Sequence, residues 1–122
     1  MTHGKPVQTD FQVLETLFAD SAQAIAASLA GRSDHPVSQA IANAAANASI
    51  SSVEDFTALP GRGVSGRVDG RLYHLGNHRL VEELQLCSPE LEAQLDGLER
   101  QGKSVVLLLD DSGPLALFAV AD

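Results

Sequence analysis

Residues 64–68 and 72–75 alternate along the chain, and only Asp69 and Gly70 form a turn between them. An Asp-Gly link accepts the positive φ values that match the right-handed twist of paired strands, so these residues are committed to a two-residue hairpin. Just upstream, Pro60-Gly61-Arg62-Gly63 reads as a second tight turn, and residues 53–59 before it read as another strand. Strands joined by turns this short run antiparallel, because a parallel pair needs a long crossover. The centre of the chain is therefore a three-stranded antiparallel unit, and the rest must pack around it.

Residues 6–13 carry Val7, Thr9, Phe11 and Val13 at period two and read as a first strand. An Ala-rich run over 24–30, capped by Asp20 or Ser21 and stopped by Gly31, reads as a helix. Pro36 fits the first turn of a second helix with Asp34 or His35 at its cap. Val37, Ala40, Ile41, Ala44, Ala45 and Ala48 line one face of that helix, and Asn and Ser predict its end over 47–49. Two short helices follow over 77–86 and 89–101, the second with Ser88 as N-cap, Glu90 and Glu92 near its positive end, and Gly102 at its stop. Residues 105–109 and 115–120 are the last strands, joined through 110–114. The order predicts an α+β fold, an antiparallel and roughly six-stranded sheet flanked by helices, as one domain over 1–122.

Eight Lys and Arg against sixteen Asp and Glu leave a net charge of -8, which opposes attachment to nucleic acid or anionic lipid. One small anionic ligand held by local dipoles remains compatible with that charge. The longest apolar runs, 104–109 and 114–121, are interrupted by Asp110 and Asp111 and fall well short of the ~20 residues a bilayer span needs. Cys87 is alone, so neither an internal disulfide nor a cysteine metal cluster can form within the chain; it reads as a half-buried thiol before a helix. No charged n-region followed by an apolar stretch marks secretion, so the expected compartment is cytosolic.

Gly61, Gly63 and Gly66 permit positive φ and close approach of backbone N–H groups, which suits an anion-binding nest. The same glycines serve equally well as a plain strand-joining turn. They lead into a strand rather than a helix, so this is not a dinucleotide fingerprint, and there is no Gly-Lys-Ser/Thr phosphate loop. His35 sits at a helix start, where the dipole favours a neutral ring able to stack on or hydrogen-bond a base, or simply to cap the helix. His3, His74 and His78 have no companion at metal-ligand spacing and read as surface or strand-face residues, with no metal site. Asp110-Asp111 and Glu82-Glu83 read as turn and helix-surface charges. No Ser-His-Asp, Cys-His or Gly-x-Ser-x-Gly arrangement occurs, so no complete reaction centre is present.

Taken in order, Ser33-Asp34-His35-Pro36 with Ala40-Ile41, Pro60-Gly61-Arg62-Gly63-Val64-Ser65-Gly66, Val68-Asp69-Gly70, Gly76-Asn77 and Gln101-Gly102-Lys103-Ser104 are far more specific than any one of them. Together they resemble the nucleotide-binding (N) domain of heavy-metal-transporting P-type ATPases, and the likeness covers nearly the whole chain. The resemblance implies a domain inserted between the halves of a pump's phosphorylation domain, binding ATP with Mg2+ and presenting the γ-phosphate to an aspartate outside this chain. By the same resemblance His35 orients the adenine, Gly61 and Gly63 line the cleft near the phosphates, and Gly76 with Asn77 completes it near the ribose and phosphates. The implied partners are the phosphorylation and actuator domains of the same pump, with no nucleic acid and no direct membrane contact. The implied location is the cytoplasmic side of a bacterial inner membrane. The isolated domain is expected to bind ATP without turning it over.

One position departs from the family. Its usual Glu five residues before the His-Pro histidine is Ala30 here. A missing acceptor for the adenine amino group predicts modest affinity and blunted base selectivity, with Asp34 or a neighbouring acid as the compensating group. It also leaves open a nucleotide-insensitive regulatory or protein-interaction module. The transported ion is not legible in this segment.

Overall fold

The computed structural model describes residues 6–15, 21–33, 35–45, 52–86 and 88–121. Along them run β1 (Val7–Val13), α1 (Ala22–Ala30), α2 (Pro36–Ala44), β2 (Val53–Leu59), β3 (Gly63–Val68), β4 (Arg71–Gly76), α3 (His78–Glu83), α4 (Pro89–Arg100), β5 (Ser104–Asp110) and β6 (Gly113–Ala121). The strands form one six-stranded sheet in the order β1-β6-β5-β4-β3-β2, with every neighbouring pair antiparallel. The α+β architecture read from the sequence is the one observed.

The predicted hairpin is the β3–β4 pair, closed by Asp69 at φ 53° and Gly70 at φ 80° with Val68 opposite Arg71. The β2–β3 turn is equally well determined. Arg62 N–H donates to Leu59 O at 2.9 Å, with Pro60 and Gly61 between them and Gly61 at φ 72°. Pro then Gly at the two central positions is the signature of a type II turn, which requires positive φ at the second. In the β5–β6 turn the buried Asp110 carboxylate accepts from Ser112 N at 2.8 Å and Ser112 Oγ at 2.6 Å.

Helices cover both faces of the central strands, which is why 105–109 and 115–120 read as continuous apolar runs rather than alternation. On one face Leu108, Ala116, Phe118 and Val120 pack with Ala26, Leu29 and Ala30 of α1 and Ile41 of α2. On the other, Val105, Leu107, Leu109 and Leu117 pack with Leu80 and Val81 of α3 and Leu91 and Leu95 of α4. Phe118, Leu107 and Leu108 are wholly buried, and each such side chain contributes about 1.5–3 kcal/mol. Gly66 lets α1 settle closely, because a Cβ there would lie 2.5 Å from Val53 Cγ1 and 3.0 Å from Leu29 Cδ2. Both edge strands are bulged, β1 between Gln8 and Asp10 and β2 between Glu54 and Thr57, which discourages pairing with another sheet.

The structure differs from the sequence reading at several ends. Ser21 is the N-cap of α1 but makes no side-chain capping bond, and Gly31 closes it at φ -64°, without using the left-handed region. Helix α2 ends at Ala44, and the expected stop at 47–49 lies outside the described residues, as do Asp20, Cys87 and Asp34. Helix α3 ends at Glu83 rather than 86, with Gln85 at φ 58° turning the chain out.

Candidate functional site

The β2–β3 turn, the end of β4 and the start of α3 converge on one point. Gly63 and Gly76 are register partners across β3 and β4, and their missing side chains are what allow it. A Cβ on Gly63 would lie 2.2 Å from Leu75 O and 2.7 Å from Gly76 Cα; one on Gly76 would lie 2.2 Å from Leu80 Cδ2. These two glycines therefore set the spacing of strand against strand and strand against helix.

Asn77 ties the pieces together. Its side-chain oxygen accepts from Leu80 N at 3.1 Å, capping α3, while its amide nitrogen donates to Gly61 O at 2.9 Å. Its backbone N–H donates to Arg62 O at 2.8 Å. The side chain is thus spent on both ends of a brace that holds the turn against the helix, a role the sequence reading did not give it. Arg62 adds a second brace: Nε donates to the Glu83 carboxylate, at 2.9 Å to Oε1, and Nη1 donates to Pro60 O at 3.0 Å. The hydrogen bond from Arg62 holds the Glu83 carboxyl below the usual carboxylate range. What the braces leave outward is Gly61, exposed, with the Arg79 guanidinium Nη1 3.9 Å from where its Cβ would be. With Arg62 paired to Glu83, the Arg79 guanidinium is the cation beside this bare backbone bend, an arrangement suited to an oxyanion.

His35 is the N-cap of α2, with Pro36 next in the first turn. Its Nδ1 accepts from Val37 N at 3.2 Å, which requires the lone pair there and puts the proton of a neutral ring on Nε2. Its own N–H donates to Ser33 Oγ at 3.2 Å, and Gln39 Nε2 donates to Ser33 O at 2.6 Å, so the loop before the helix is held locally. The ring is exposed with Nε2–H free to donate. No hydrogen bond among the described residues joins it to the glycine turn. The structure thus brings Gly61, Gly63, Gly76 and Asn77 into one cluster and leaves His35 as a separate exposed group. Ala30 is wholly buried in the α1 face of the core and offers no polar atom.

His78 is the main correction. Sequence spacing gave it no companion, yet its side chain is only 14% exposed and sits among carboxylates of α3 and α4. Its Nε2 lies 3.0 Å from Glu92 and 3.8 Å from Glu82, and its Nδ1 lies 3.1 Å from Glu99. Burial opposes charge on the ring, but hydrogen bonds to Glu92 and Glu99 outweigh it and raise the pKa above the ordinary value. A concavity of about 530 Å³ between β1 and α4, lined by Asp10, Phe11, Gln94 and Leu98 among others, shares no residue with the glycine turn or His35.

No family model matches the chain. A probable cadmium-transporting ATPase of Staphylococcus aureus (strain MRSA252) is 38% identical over all of this chain, which spans 18% of that relative's length. The crystal structure of the N-domain of HMA6, a copper-transporting P-type ATPase, superposes with a TM-score of 0.75 at 24% identity, covering 97% of this chain and 100% of the other. The catalytic domain of the CPx-ATPase CopB-B, solved in a study of its changes upon nucleotide binding, gives a TM-score of 0.66 at 22% identity over 97% of this chain and 37% of that one.

Proposed function

From a chain homologous over its whole length with heavy-metal-transporting P-type ATPases, and folded as their N-domains are, we infer that it is the ATP-binding domain of such a pump. The observation that carries this reading is the Gly61 bend. Its backbone is exposed beside the Arg79 guanidinium, and two hydrogen bonds from Asn77 and one from Arg62 to Glu83 hold it against α3. A bend fixed before the ligand arrives need not lose that freedom on binding.

MgATP is the substrate in this account. Gly61 and Gly63, with Arg79 beside the bend, face the phosphates, and the Nε2–H of His35 meets the base. Gly76 and Asn77 act by holding the turn in place. Asp34 remains part of the proposed base site on sequence grounds. The domain presents the γ-phosphate to an aspartate of the phosphorylation domain, and transfer depends on that acceptor and its positioning. The first and last strands are neighbours, with Val7 opposite Ala121, an arrangement compatible with insertion into another domain; the proposed location, the cytoplasmic side of a bacterial inner membrane, rests on the family likeness alone. Titrating ATP, GTP and AMP into the 122-residue chain tests the reading. It expects modest ATP affinity with a blunted preference over GTP, and His35→Gln weakens it.

The buried methyl of Ala30, where the family carries an acid, favours a second reading: a regulatory or interaction module that no longer responds to nucleotide. The absence of any response at millimolar ATP would select it.

A further inference from the structure

We propose that His78, Glu82 and Glu92 form a three-ligand site for a divalent cation of the zinc class, with Glu99 orienting the imidazole from behind. A neutral imidazole has one N–H and one lone pair, yet here each nitrogen faces a carboxylate, Nδ1 to Glu99 at 3.1 Å and Nε2 to Glu92 at 3.0 Å. Both contacts are met either by the doubly protonated imidazolium or, with Nδ1–H donated to Glu99, by a cation held between the Nε2 lone pair and the carboxylate oxygens of Glu92 and Glu82, the metal ion taking the place of the second proton.

The ligand set is assembled from two helices. His78 and Glu82 are four residues apart on α3 and so share one face, and Glu92 reaches across from α4. Tetrahedral zinc holds nitrogen and oxygen ligands at about 2.0–2.2 Å, which puts neighbouring ligand atoms about 3.3 Å apart. The Nε2 separations from Glu92 and Glu82, 3.0 and 3.8 Å, straddle that value, and all three ligand atoms lie within 4.8 Å of one another. An imidazole with two carboxylates suits zinc-like ions, whereas magnesium and calcium take oxygen alone. Glu99 supplies the second half of a carboxylate–histidine–metal arrangement, fixing the tautomer and the ring plane.

His78, Asp96 and Glu99 form a second trio on the other side of the same ring. The Nε2 side is assigned because it alone combines the paired positions on α3 with a ligand from α4. Three protein ligands leave one position open, so the ion exchanges. It would fasten α3 to α4 directly behind Asn77, the residue that braces the glycine turn.

The test is zinc titration of the 122-residue chain by calorimetry in a Cys87→Ser background, so that the single thiol cannot capture the ion. Magnesium and calcium serve as comparison ions, and nitrogen NMR reads the His78 ring. One saturable zinc site per chain is expected, with the shift on Nε2 and no comparable binding of magnesium or calcium. Glu82→Gln and Glu92→Gln should each weaken it at least about tenfold, as should Glu99→Gln, while Asp96→Asn changes little. Glu82 is exposed, so its variant keeps the fold; circular dichroism verifies this for all four. Absence of saturable zinc binding overturns the proposal. So does affinity unmoved by Glu82→Gln and Glu92→Gln, or lost instead in Asp96→Asn.

Discussion

Gly61 in the β2–β3 turn and Gly63 at the start of β3 should respond to alanine to very different extents. Gly61 sits at φ 72°, and the nearest atom to an added Cβ is Arg79 Nη1 at 3.9 Å. Gly61→Ala therefore carries only the left-handed penalty of roughly 1–2 kcal/mol, partly offset by a stiffer unfolded chain, for a net of about 1 kcal/mol. Gly63 sits at φ 144°, a region almost confined to glycine, and its Cβ would fall 2.2 Å from the Leu75 carbonyl oxygen at the end of the β3–β4 ladder. The backbone conformation costs about 1–3 kcal/mol and the overlap, relieved only by moving a strand, about as much again, so Gly63→Ala should lose about 4 kcal/mol. A difference near 3 kcal/mol at a urea slope of about 1.5 kcal/mol/M separates the two midpoints by about 2 M. Far-UV circular dichroism during urea unfolding reads this directly. Coincident midpoints for the two variants would refute the account of how β3 meets β4, and with it the separation of a structural glycine from an exposed one.

Other outcomes follow from the same contacts. Asn77→Ala removes the α3 cap and the bond to Gly61 O, so the domain should lose about 1–2 kcal/mol in urea unfolding, and the amides of Leu80 and Arg62 should exchange faster. His35→Gln should weaken ATP binding in calorimetry while costing the fold no more than about 1 kcal/mol, the value of a weakened cap. The Glu83 carboxyl is held below its usual range by Arg62, so the stability this ion pair lends is fully present above the ordinary carboxylate pKa of 4.5 and is lost as pH falls through the lower folded value. The protection factors of the β2–β3 turn amides, each referred to the intrinsic exchange rate at its pH, should therefore fall on acidification through that window in the wild type, but not in Glu83→Gln.

Much of this fold was legible because its strongest signals are local. Asp69-Gly70 and Pro60-Gly61 each determine a turn with two residues, and the three strands around them follow. The continuous apolar character of β5 and β6 follows from cover on both faces, although the register of β6 with β1 joins residues about a hundred apart and has no local signature. Helix ends were read less well. Ser21 had the composition of a cap without the bond, and Gln85 took a left-handed conformation that glutamine does not advertise. Asn77 was recognised through its neighbour Gly76, but its capping and bracing bonds depend on where the β2–β3 turn lands. His78 was missed because Glu92 and Glu99 are 14 and 21 residues away and meet it only once α3 and α4 pack on the same sheet face. The exposure of Arg79 beside Gly61 was hidden for the same reason.

The central claim, that the braced Gly61 bend and the His35 ring together take adenosine triphosphate, is tested most directly by amide NMR of the uniformly labelled domain during titration with MgATP. The account predicts saturable shifts concentrated at His35, Gly61, Gly63 and Asn77, smaller in His35→Gln. Spectra unchanged at millimolar MgATP, or shifts confined to the concavity between β1 and α4, would contradict it.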